Sequence, residues 1–170
     1  MNEFNDAMFK TKVDNIFVKI LTAITNQDLS EVEHFISTNI KDKLQSSIDN
    51  LKLSGDREIY DEINAKETNI LNRSFTDDKE IIEVEIISRY MNYIINKEGE
   101  TISGDDTRRI EKKNILVFEK KKDVKETKIV RKCPGCGASI SVNTSGKCEY
   151  CDTIYNLEDY DYVLTSIKTY

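Results

Sequence analysis

The chain has 170 residues, 38% hydrophobic and 33% charged, which is enough for one ordinary domain and a small appendage but not for two full domains. No stretch approaches the roughly 20 apolar residues that cross a bilayer as a helix, and Met1-Asn2-Glu3 is not the basic, then apolar, opening of a signal peptide. The expected setting is therefore cytoplasmic, at most peripheral to a membrane, where four cysteines point to metal binding and not to disulfides.

The net charge of −6 is unevenly spread. Residues 1–107 carry 12 basic and 22 acidic side chains, whereas residues 108–132 carry 11 basic and 4 acidic, a local net of +7. Residues 133–159 hold only Lys147 against Glu149, Asp152, Glu158 and Asp159. An acidic chain with an acidic cysteine-rich segment is a poor general binder of nucleic acid, so no DNA or RNA partner is expected.

Taken in chain order, Phe9, Val13, Ile16, Phe17, Ile20, Leu21 and Ile24 recur at three- and four-residue intervals, the stripe of an amphipathic helix. Such a helix could lie on a membrane, but packing against a sheet is the ordinary use of it. Asn26-Gln27-Asp28 interrupts the pattern. Ser30 sits three residues before Glu33, a capping-box spacing that predicts a short second helix over 30–36. Thr38 is placed to cap a third helix with Ile40, Leu44, Ile48 and Leu51 inward and Gly55 at its end.

Beyond Gly55 the period changes to two. Ile82, Val84 and Ile86 alternate with Glu83 and Glu85, a half-buried strand running on through Tyr90, Tyr93 and Ile94. An earlier strand is expected at 65–75, joined to it by Thr76-Asp77-Asp78-Lys79. Residues 97–106, with Gly99 and Gly104 among polar neighbours, read as a loop, and 112–121 as a third strand around Ile115, Leu116, Val117 and Phe118. Helices followed by long strands predict an α+β fold, with N-terminal helices packed on a curved antiparallel sheet. Tyr162, Val163, Leu164 and Ile167 form a last strand, which needs a partner. The strand at 115–118, left just before the cysteines begin, is the expected antiparallel one.

Cys133-Pro134-Gly135-Cys136 and Cys148-Glu149-Tyr150-Cys151 are two C-x-x-C pairs with eleven residues between them. Each pair suits a knuckle that turns two sulfurs onto one ion, and four thiolates leave no open position for water. The reading is one structural zinc per chain held by Cys133, Cys136, Cys148 and Cys151, with iron in a rubredoxin-like site as the other metal this donor set accepts. A short hairpin at 138–142, turning at Asn143-Thr144-Ser145-Gly146, fits between the pairs. The domain division is then 1–132 plus 160–170 for the main body, with a zinc ribbon at 133–159 inserted before the last strand.

The order of helices, long strand pair, Gly99…Ser103-Gly104-Asp105, the 115–118 strand and the closing Tyr162-Val163-Leu164-Thr165-Ser166-Ile167 resembles the Tim44-like domain. That family is named for the membrane-bound tether of the mitochondrial import motor, and its bacterial members often carry a four-cysteine ribbon near the C-terminus. The resemblance implies a cone of the nuclear-transport-factor-two-like type. It also implies a tethering or lipid-facing style of function, not a role in protein import. The family usually has tryptophan where this chain has Tyr162.

Other groups carry weaker chemistry. His34, the single histidine, lies beside Glu31 and Glu33 and reads as a surface or half-buried residue, not a proton carrier. Glu83 and Glu85 face away from the apolar row and read as solvated, not as general bases. Lys120, Lys121, Lys122, Lys125 and Lys128 could meet an anionic surface or an acidic protein, although Glu119, Asp123 and Glu126 dilute them. The function expected is that of a non-enzymatic, zinc-containing binding or scaffold domain with a protein partner and weak anionic lipid contact. The alternative is a small-molecule or enzymatic cone, isomerase- or hydrolase-like, with a pocket between helices and sheet. A buried carboxylate of raised pKa inside the cone would favour that alternative.

Overall fold

The structure, a computed structural model, describes residues 5–121, 130–132, 139–141, 150–151 and 162–169. Helix α1 (Asp6–Asn26) begins where the Asn5 side chain accepts the Met8 N–H, and it ends where Gln27 turns left-handed at φ 57°. Its stripe is the one the spacing predicts, since Phe9, Val13, Ile16, Phe17, Ile20, Leu21 and Ile24 are all buried. Each such side chain contributes about 1.5–3 kcal/mol when fully buried. Packing on a sheet, not helix propensity, therefore holds α1 in place.

The short helix expected at 30–36 does not form. Residues 30–35 make successive turns, and the Ser30 N–H is taken by Asp28 Oδ1 at 3.0 Å, so Ser30 does not act as a cap. The cause lies far along the chain. Leu164 donates its N–H to Phe35 O, and Ser37 donates to Leu164 O, both at 2.9 Å, so Ile36 lies as a parallel bridge beside Leu164. The segment keeps isolated turn bonds, Val32 and Glu33 both donating to Leu29 O and Phe35 to Val32 O, but the bridge at Ile36 stops them from extending into a helix. Helix α2 (Thr38–Ser54) follows directly, capped by Ser37 and not by Thr38, with Ser37 Oγ accepting the Ile40 N–H at 3.3 Å. Ile40 and Ile48 are buried, Leu44 and Leu51 half-buried, and Gly55 ends the helix at φ 76°.

Strands β1 (Arg57–Phe75), β2 (Lys79–Ile95) and β3 (Thr101–Lys121) form a meander. The short strands β4 (Val130–Lys132) and β5 (Ser139–Ser141) pair with each other, and β6 (Val163–Thr169) returns to the main sheet. The order is β1-β2-β3-β6, antiparallel throughout, with Leu116 opposite Ile167 and Phe118 opposite Leu164. The last strand thus pairs where expected, and the α+β class holds.

Two boundaries differ from expectation. The first strand starts at Arg57, not at 65. Residues 97–106 are not one loop, because the turn closes within 96–100 and β3 already runs from Thr101. The Asn96 side chain makes this possible, its Oδ1 accepting the N–H of Glu98 at 3.0 Å and of Glu100 at 2.9 Å. Gly104, at φ 82°, lets β3 press onto β2, since a Cβ there would meet the Asn92 carbonyl and lie 2.7 Å from Tyr93 Cα. The extra residues show as an irregularity, Tyr90 pairing with Ile110 while Asn92 pairs with Asp105.

One face of the sheet packs on the helices. Ile82, Val84, Ile86 and Leu116 there are 0% exposed, and the Phe9 ring meets Phe118 edge-on at 5.6 Å. At the other end of α1, Thr25 Oγ1 accepts the Tyr60 N–H at 2.9 Å, so the helix is tied to the sheet at both ends. The first helix therefore packs against the sheet, as its stripe predicted.

Candidate functional site

β3 ends at Lys121 and its neighbour β6 starts at Val163, so residues 122–162 leave and re-enter the sheet between two paired strands. All four cysteines fall within this excursion. Cys133, Cys136 and Cys148 lie outside the described residues, as does the turn expected at 143–146. Two fragments of their surroundings are described. β4 and β5 pair in the register Val130–Ser141, Arg131–Ile140 and Lys132–Ser139. β5 thus pairs with the segment before the first cysteine pair, and the six residues joining the two strands carry Cys133 and Cys136. Tyr150 and Cys151 lie in a turn, both exposed. Among the described residues no group of three or more His, Cys, Asp or Glu is gathered for a metal. Four thiols at these two C-x-x-C spacings fit zinc by their chemistry.

Where the chain re-enters the sheet, Tyr162 is built into the body. Its hydroxyl donates to Glu80 Oε1 at 2.8 Å, and the same oxygen accepts from Arg73 Nε at 2.6 Å. The ring meets Phe9 edge-on at 5.1 Å, and the ammonium groups of Lys12 and Lys120 lie 5.8 and 5.2 Å from its centroid. A tryptophan in this place could present an N–H donor but no hydroxyl, so tyrosine suits the Glu80 contact. No pattern in the sequence announces this cluster, because its members come from α1, β1, β2, β3 and the residue just before β6, with Phe9 and Tyr162 at opposite ends of the chain.

The weaker candidates separate cleanly. The His34 side chain is 8% exposed and its Nε2 lies 3.9 Å from Glu33 Oε1, in the turn before α2 and not on a helix. Glu83 is exposed and Glu85 half-buried, on the sheet face turned away from the helices. Glu85 is paired there with Lys113 at 3.4 Å. With Ile115, Val117 and Lys168 these residues line a shallow groove of about 340 Å³. Of the basic run, Lys120 and Lys121 are described, and Lys122, Lys125 and Lys128 lie outside the described residues. Part of the +7 stretch is already neutralised, since Arg108 lies 3.6 Å from Asp105 and Lys113 3.4 Å from Glu85.

On the helix-covered face the polar groups serve the fold. Thr68 on β1 donates to Asp14 of α1. The Tyr60 and Tyr90 rings lie 5.2 Å apart, and burial, reinforced by Glu58, pushes both hydroxyls above their ordinary pKa, Tyr60 strongly so. Those tyrosines are therefore neutral donors at physiological pH, not bases. Asp28, Asp105, Glu111 and Glu119 are all displaced downward. Hydrogen bonds from Ser30 and Thr107 lower Asp28 and Asp105, and Lys66 lowers Glu111. At Glu119 burial raises the pKa, but hydrogen bonds from Lys79 and Thr165 outweigh it. No helix of the described residues is long and apolar enough to cross a membrane.

The Tim44-like domain family matches residues 2–129, three-quarters of the chain, and the protein belongs to that family. No curated protein matches the chain.

Proposed function

We propose that this protein is a non-enzymatic binding or scaffold domain, in which residues 133–159 form a zinc ribbon carried between β3 and β6 of the Tim44-like body. One zinc per chain, held by Cys133, Cys136, Cys148 and Cys151, fastens the ribbon and takes part in no reaction. The observation that carries this reading is the topology. β3 and β6 are adjacent, so the chain leaves the sheet at Lys121 and rejoins it beside the same strand at Val163. The β4–β5 hairpin brackets the first cysteine pair, which supports a knuckle at that point. The covered face of the sheet is filled by apolar side chains and α1, which leaves recognition to outer surfaces.

The partner class that suits these surfaces is a protein, with weak contact to anionic lipid through residues 108–132. The site is expected in the cytoplasm or at the membrane facing it. Elemental analysis of protein purified without added metal should return about one zinc per chain, since model sites of this kind bind with about 10–16 kcal/mol. One iron per chain, or four thiols that react at once without chelator, overturns the zinc assignment. Flotation with anionic and neutral liposomes tests the lipid contact, and equal recovery from both removes it. A complex with DNA or RNA at physiological salt that weakens steeply as salt rises contradicts the expected lack of nucleic-acid binding.

A further inference from the structure

The sheet face turned away from the helices is unusual in its charge layout. In the register of the sheet, Glu83 stands beside Val117, which stands beside Ser166. In the next row Glu85 stands beside Ile115, and Ile115 beside Lys168. Lys113 lies one row further along β3, opposite Ile87. The two carboxylates thus lie on one side of Ile115 and the two ammonium groups on the other. Glu83, Lys113 and Lys168 are exposed, while Ile87, Ile115 and Val117 are half-buried. Among the described residues neither Glu83 nor Lys168 has an ion-pair partner, whereas Glu85 and Lys113 are joined at 3.4 Å.

We propose that this face is the interface of a homodimer, with Ile115 and Val117 at its centre. A two-fold axis lying in the face over Ile115, oblique to the strands, carries the β2 carboxylates of each copy over Lys113 and Lys168 of the other. The same patch serves both copies, as a closed two-fold interface requires. The strands of the two sheets then cross steeply, one of the two ways sheets pack face to face, and Glu and Lys are long enough to reach across the roughly 10 Å between them. Charge selects this occupant. The chain as a whole carries −6, a net charge that opposes self-association except where opposite signs are brought into register. This patch has two acids and two bases, so copies meet there without net repulsion and with opposite signs in register. An acidic or a basic partner would satisfy one half of the patch and clash with the other.

Sedimentation equilibrium on the full zinc-loaded chain should show reversible dimers at concentrations up to about 100 μM, the range of weak specific association. The double reversals Glu83→Lys with Glu85→Lys, and Lys113→Glu with Lys168→Glu, should each run as monomers, because like charges then meet across the axis. Mixing the two reversed proteins should restore a dimer of one copy of each. Far-UV circular dichroism checks the fold of each. Should a double variant misfold, the single changes Glu83→Lys and Lys168→Glu, at exposed positions without an ion pair, must weaken dimerisation and be rescued by mixing. A wild-type protein that stays monomeric, or reversed variants that dimerise as before, overturns the proposal.

Discussion

The body formed by residues 5–121 with β6, and the excursion 122–162 between its last two strands, differ in the composition each brings to the problem of stability. In the body, apolar residues recur at helical or strand spacing and end up buried, with Val13, Ile82, Val84 and Leu164 at 0% exposure. In residues 133–159 the recurring feature is the cysteine pair, and large apolar residues are few. A short segment of that composition cannot bury enough surface to offset its lost chain entropy, which is the situation in which a metal takes over. On the proposed zinc ribbon, the comparison teaches that one chain would hold two parts with separate failure modes, one sensitive to cavities and the other to chelators.

The largest effect should come from cutting the parts apart in the wrong place. Truncation after Lys132 removes β6 along with the ribbon, exposing Phe118 and the edge of β3. The truncated chain should lose cooperative urea unfolding. Replacing 133–159 with a short glycine-rich turn keeps β6 and should keep a two-state transition. Equal stability of the two proteins would mean that β6 is not part of the body.

Next in size is Phe118→Ala. The ring is 1% exposed and packs on Phe9, so the change should cost about 3–5 kcal/mol in chemical denaturation. Cys136→Ser should abolish zinc uptake while leaving the body's unfolding midpoint nearly where it was. A large shift of that midpoint would show the two parts to be one cooperative unit.

Gly104→Ala sharpens the contrast within the body. The added methyl runs into the Asn92 carbonyl at a backbone angle of φ 82°, so a loss of about 1–3 kcal/mol is expected. The same change at Gly99, which has nothing within 4 Å, should cost less, because only the backbone angle is strained there.

The smallest effect is a pH dependence. Lys79 and Thr165 hold Glu119 below the ordinary carboxylate value of 4.5 despite burial. A depressed carboxylate stabilises the fold above that value, and the contribution fades as pH falls through the folded-state value. Glu119→Gln should therefore flatten the acid limb of stability against pH, read as urea midpoints from pH 6 down to about 3. An unchanged limb would mean that the pair is worth nothing at this half-exposed position.

What the chain's own order determined was whatever depends on near neighbours or on composition. The 3.6-residue stripe of α1 and the two-residue alternation of β2 appear as buried faces because periodicity acts over a few residues and needs no knowledge of the partner. The return of 162–167 to β3 was also legible, since a lone strand beside a completed excursion has one natural neighbour. Tertiary structure decided the rest. Residues 30–36 carry a helix-start signal worth about 1 kcal/mol, and the bridge to Leu164 overrode it. The Gly99 and Gly104 stretch looked like a loop until β2 offered it a ladder of hydrogen bonds. Tyr162 and Glu80 are 82 residues apart, yet they share a hydrogen bond. At Leu164 and at Tyr162 the deciding contact joins residues far apart in the chain, and its energy exists only after the sheet has brought them together.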